Sequence, residues 1–137
     1  MRRNLYLLVA TVMLACGVGL SSVLAQSITA DELEALKQRA PIHPEVKKHG
    51  VNADPRSRDL FRKYVTYVRM VKPANAAAAR SRLLGWVDED IRIAERIMES
   101  SSPRSKATKS QYRAAEIDHH WLVKFRAWCE QLPKDRT

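Results

Sequence analysis

The sequence predicts an all-α protein: a small helical bundle of three main helices plus a short N-terminal helix, placed after an N-terminal signal segment. Three observations carry this expectation. Apolar residues recur at three- and four-residue spacing in three long stretches, the period that lines up one face of a helix. Pro41, Pro55, Pro73 and Pro133 fall at the ends of those stretches, where a missing N–H costs least. No two alternating runs are joined by a hairpin turn, so nothing in the pattern calls for a sheet.

Residues 1–25 have the three parts of an export signal. Arg2 and Arg3 form a positive start, an apolar stretch follows, and Val23-Leu24-Ala25 presents a Val-x-Ala cleavage pattern before Gln26. The expected product is an exported chain, periplasmic or secreted, that begins at Gln26. Two alternatives compete. Met13-Leu14-Ala15-Cys16-Gly17 resembles a bacterial lipobox that would lipidate Cys16, although the apolar character runs on to Leu24. Residues 4–25 are also 22 positions without a charge, and about 20 apolar residues span a bilayer, so an uncleaved anchor is the other alternative.

Residues 26–137 are expected to form one helical domain. Thr29 can cap the amide of Glu32 while Glu32 reaches back, with Ile28 packing on Leu33, so a helix starts there and stops by Ala40. Residues 41–55 hold three prolines and Gly50 with no apolar period, which predicts a linker. Asp54-Pro55 is an N-cap followed by proline at the first helical position. Leu60, Phe61, Tyr64, Val65, Val68 and Val71 then form one stripe that closes at Pro73, despite the strand-favouring run YVTYVRMV.

The longest periodic run covers 75–99, with Leu84, Val87, Ile91, Ala94 and Met98 as its seam. Asp88, Glu89 and Asp90 fall on its other side and predict a solvated acidic face. Residues 100–110, SSSPRSKATKS, read as a polar basic linker. The last helix starts near Thr108 or Ser110 and reaches Leu132, burying Ala114, Ile117, Trp121, Phe125, Trp128 and Leu132.

Cysteine use excludes a disulfide scaffold. Cys16 leaves with the signal, so Cys129 stays alone; it is buried and inert, or it joins two copies of the chain in a homodimer. Metal binding has only a thin basis in Glu116, His119 and His120. Glu116 and His120 share a helix face, but two ligands fall short of the three or four that zinc takes. Haem has little more. There is no Cys-x-x-Cys-His for attachment, and Met70 and Met98 are the only methionines within the domain for axial ligation. No Gly-x-Ser-x-Gly, His-Glu-x-x-His or glycine-rich phosphate loop occurs. The expectation is a non-catalytic protein without a cofactor.

Charge is the remaining signal. The chain carries 24 basic and 15 acidic residues, and the excess is uneven. Residues 41–73 hold eight basic against three acidic, and 100–137 eight against four, while 26–40 and 74–99 are each net negative by one. Lys47, Lys48, Arg56, Arg58, Arg62 and Lys63 make one cluster; Arg104, Lys106, Lys109 and Arg113 make a second. Such clusters bind anionic polymers and lipid headgroups by counterion release and surface potential. Export removes the chain from cytoplasmic nucleic acid, leaving anionic lipid, an envelope polymer or an acidic protein surface as the expected partner. The alternatives are a membrane-anchored accessory subunit, or an exported metal- or haem-binding bundle.

Overall fold

Local capping sets where the first three helices begin. In the computed structural model, which describes residues 27–134, five α-helices and two short 3-10 turns account for the regular structure, with no strand among the described residues. Helix α1 (Ala30–Gln38) starts where the Thr29 hydroxyl accepts from the Glu32 amide at 3.1 Å, satisfying one of the free N–H groups of the first turn. The segment 41–55, expected to lack helix, contains α2 (Pro44–His49) and a 3-10 turn (Gly50–Asn52). Proline at the first helical position starts a helix rather than breaking one, and the His43 ring caps it by accepting from the Glu45 amide at 3.2 Å. Gly50, with φ +55°, ends it in a conformation that side-chain-bearing residues rarely adopt.

Helix α3 (Pro55–Met70) is capped by the Asp54 carboxylate, which accepts from the Ser57 amide at 3.2 Å. A 3-10 turn at Pro73–Asn75 leads into α4 (Ala76–Ser100), and turns at 101–108 lead into α5 (Lys109–Cys129). The YVTYVRMV run is helical as far as Met70. Its β-branched residues give up a little helix propensity, and burial of Tyr64 and Val68 outweighs that loss.

Pairwise contacts fix the course of the long helices. Ser57 meets Asp118, and Tyr64 meets Trp121 and Phe125, so α3 and α5 run in the same direction. Helix α4 runs against both: Asp90 faces Lys63, Asp88 faces Arg126, and Glu95 faces His119. Tyr64, Trp121, Phe125 and Trp128 form the aromatic core, with neighbouring ring centroids 4.9–5.6 Å apart. Helix α1 closes one end, where the Trp128 indole N–H donates to the Leu36 carbonyl at 2.8 Å.

Two expected stripes are displaced. On α5, Trp121, Phe125, Trp128 and Leu132 are buried as expected, but Ala115 and Asp118 take the places assigned to Ala114 and Ile117, which are half-buried. On α4, Leu83 is fully buried and Leu84 only partly. On α5 the cause is a third packing partner. The α5 N-terminal half faces both α3 and the His43 segment, which turns its buried sector by one residue. Among the described residues no helix is long and apolar enough to cross a membrane. The signal, lipobox and anchor readings lie outside the described residues.

Candidate functional site

The chain order brings one end of the bundle together from four pieces: the starts of α3 and α5, the end of α4, and α2. Three polar side chains are buried there. His43 Nε2 lies 2.7 Å from Asp118 Oδ1, and the Ser57 hydroxyl donates to the same oxygen at 2.8 Å. His43 and Ser57 are fully buried and Asp118 is 2 % exposed. Because His43 Nδ1 accepts from the Glu45 amide, the ring proton sits on Nε2 and is donated to the carboxylate.

Histidine, serine and aspartate are also the residues of a hydrolytic triad, but here they are connected differently. In a triad the histidine lies between serine and aspartate and takes the serine proton. Here Ser57 and His43 both donate to Asp118, and the second ring nitrogen of His43 is engaged by the backbone. His43 is therefore not placed to take the Ser57 proton. The arrangement is a tie that fastens α2 and α3 to α5. Asp118 Oδ2 is buried without a hydrogen-bond partner in the protein, and it lies beside a groove of about 330 Å³ that Arg56, Lys63 and Asp90 also line.

Two of the cluster cations, Arg56 and Lys63, line the groove beside this tie. Lys47 and Lys48 are exposed in the last turn of α2, and Arg56 is exposed in the first turn of α3. Arg56 lines a groove together with Ser110 and Gln111, so the α3 start borders the α5 start that carries Lys109 and Arg113. Arg104 and Lys106 are exposed in the connecting turns, and Arg62 is exposed one helical turn along α3 from Arg58. The first cluster thus approaches the second where Arg56 borders the α5 start, while Arg62 and Lys63 lie midway along α3. The N-termini of α3 and α5 add their partial positive charge at that border.

Two members of the clusters have internal partners. Lys63 is 2.6 Å from Asp90, whose same oxygen accepts from the Tyr64 hydroxyl at 2.5 Å, and its ammonium lies over the Tyr64 and Trp86 rings. Arg58 is half-buried and donates from Nη1 to the Val51 carbonyl at 2.5 Å. Of the ten cations, Lys63 alone is ion-paired among the described residues. The expected acidic face of α4 is correspondingly not a free one: Asp90 is held by Lys63, Asp88 by Arg126 at 2.9 Å, and Glu89 by Arg92 at 2.8 Å.

The metal candidates do not converge. Glu116 and His120 are exposed, and half-buried His119 faces Glu95 at 3.8 Å. No group of three or more His, Cys, Asp or Glu among the described residues is placed to hold a metal ion. Met70 is 65 % exposed, on the outside of the bundle. Cys129 is free and fully buried. Burial pushes its thiol up to about 12, against the opposing pull of the Arg80 guanidinium, so a bridge between two chains at this position would require the bundle to open there.

The sequence does contain one sign of the buried tie. Asp118 stands three residues before Trp121 and seven before Phe125, on the apolar seam itself. A carboxylate in such a position needs a buried partner. Comparison of the chain with protein-family models, with curated proteins and with solved structures finds no match in any of the three.

Proposed function

We propose that this chain is an exported, basic, all-helical binding protein that acts without catalysis at or near an anionic membrane or envelope surface. The observation that supports this reading is the approach of the two basic clusters at the starts of α3 and α5, with nine of the ten cations free of ion pairs among the described residues. A charge excess selected only for solubility gives no reason for the two clusters to adjoin. A cation near an anionic bilayer contributes about 1 kcal/mol, so several acting together bind without a shaped pocket.

The test is co-sedimentation with vesicles containing phosphatidylglycerol, compared with vesicles of phosphatidylcholine alone. Residues 4–25 are apolar enough to adhere to either, so the acidic-minus-neutral difference is the measure. That difference should shrink steeply with salt, because exposed charges are screened within about 8 Å at 0.15 M. Reversing Lys47, Lys48, Arg56 and Lys109 to Glu should remove it without loss of helical circular dichroism, since all four are exposed. Arg58 is unsuited to this test because it also holds the Val51 turn. Equal sedimentation of the wild type with acidic and neutral vesicles at low salt would refute the proposal.

A further inference from the structure

A groove of about 360 Å³ lies between the turn after α2 and the outer face of α3. Val46, Val51, Phe61 and Val65 give it apolar walls, and Arg58, Arg62 and Arg69 stand along it. The three arginines fall within a narrow sector of α3, because four- and eleven-residue steps return to nearly the same helix face. No carboxylate is among the lining residues. The neighbouring grooves differ: one holds Asp59 beside Lys63, another adds Asp90 and Asp118. This groove alone of the three combines an apolar wall with charge of a single sign.

Val51 makes the groove more than a charged patch. Its residue is 79 % exposed at the tip of the 3-10 turn. The Arg58 guanidinium holds the Val51 carbonyl, fixing the turn so that the side chain faces outward. An exposed apolar side chain beside arginines that have no carboxylate partner matches the boundary between lipid headgroups and acyl chains, where apolar burial and charge attraction act together.

We propose that the groove seats an anionic phospholipid of the bilayer, with Val51 entering the acyl boundary and Arg62 and Arg69 holding the headgroup phosphate. The planar guanidinium suits that role because it pairs with phosphate oxygens through two parallel N–H bonds. The proposal rests on the anionic-surface reading above and adds a requirement to it: long-range charge attraction is indifferent to Val51, whereas a seated lipid is not.

The experiment uses the full chain with the same two vesicle types and two variants that keep the charge, V51S and V51W. The acidic-vesicle affinity should fall about fivefold in V51S and rise by a similar factor in V51W, the scale set by partial burial of one apolar side chain. R62Q with R69Q should weaken binding further and flatten its salt dependence. Helical circular dichroism should be unchanged throughout, because Val51, Arg62 and Arg69 are exposed. Affinities of V51S and V51W equal to the wild type would overturn the seated lipid and leave the surface reading standing. Absence of any acidic-vesicle binding by the wild type would remove both. Binding of soluble polyphosphate by wild type and V51S alike, with no vesicle binding, would assign the surface to an envelope polymer instead.

Discussion

At the end where α1 docks, Leu36, Trp128 and Cys129 are buried together, and the one indole donor among them is satisfied by the Leu36 carbonyl. Farther along α5 from α1 the closure is polar: His43, Ser57 and Asp118 are buried in place of aliphatic side chains, with Arg56 and Lys63 lining the groove beside Asp118. The first end draws its stability from area removed from water, which has no direction. The second depends on two donors meeting one oxygen, which has a strict geometry. That contrast teaches a division of labour. Apolar packing fixes the bundle at one end, and a directional tie positions α2, the Val51 turn and the start of α3 at the other.

Substitutions at the two ends should therefore differ in size and kind. The largest effect is expected from Trp128→Ala, which removes a buried ring and leaves a cavity; such changes cost about 3–5 kcal/mol, much of the stability of a domain this small. A melting temperature within a degree or two of wild type would show that the ring is not part of the core. At the polar end Asp118→Ala leaves the His43 N–H and Ser57 O–H buried without an acceptor, at about 2–4 kcal/mol for the two. Asp118→Asn keeps the acceptor oxygen for both donors but sets an amide NH2 where Oδ2 has no partner, so it should cost less than Ala, about 1–2 kcal/mol. Equal destabilisation by Ala and Asn in urea unfolding would mean that the charge, and not the hydrogen-bond geometry, is what holds this end.

The apolar end was the more legible in the sequence. Thr29 and Asp54 cap the helices they were expected to cap, and Trp121, Phe125, Trp128 and Leu132 are buried as their spacing predicts. Periodicity reports such features because each is local or repeats along one helix. The polar end depends on pairs separated by 61 and 75 residues, which no window of sequence contains. In the sequence His43 is one of three residues of a proline-rich linker that could add a metal ligand, and Asp118 is one more charge. Lys63 was grouped with surface cations because its partner Asp90 is on another helix. The basic clusters are legible as composition, whereas the approach of Arg56 to the α5 start requires the α4–α5 reversal.

Alkaline pH should act on the buried hydroxyl and thiol with a definite sign. Burial raises the Cys129 thiol from 9.0 to about 12. Burial, reinforced by the hydrogen bond to Asp90, holds the Tyr64 hydroxyl far above its ordinary 10.0. The unfolded chain then releases protons that the folded chain keeps, so stability is fully present below pH 9 and falls as pH rises. The slope is about 1.4 kcal/mol per pH unit for one proton, first from Cys129 and then, above pH 10, with Tyr64 added. Cys129→Ala should remove the first part of the decline and retain the second. An identical alkaline limb in wild type and C129A would show that the thiol ionises as readily in the folded protein.

The smallest effect concerns the cation that does not belong with its neighbours. Lys63 lies in the first basic cluster by sequence, yet its ammonium is bound to Asp90 and stacked over Tyr64 and Trp86. Its side chain remains partly in solvent, and exposed or half-exposed ion pairs contribute about 0–1 kcal/mol. Lys63→Met keeps the hydrocarbon stem over the two rings and deletes only the charge, so stability should fall by about 1 kcal/mol at most. Asp90 keeps the Tyr64 hydroxyl as a donor, which limits the loss. If the binding surface consists of the cations that lack internal partners, K63M should sediment with acidic vesicles as the wild type does, while R62Q, one residue away, binds less. A loss in K63M as large as in R62Q would show that the Asp90 pair opens at the bilayer, and that the binding surface extends around α3 to the α4 side.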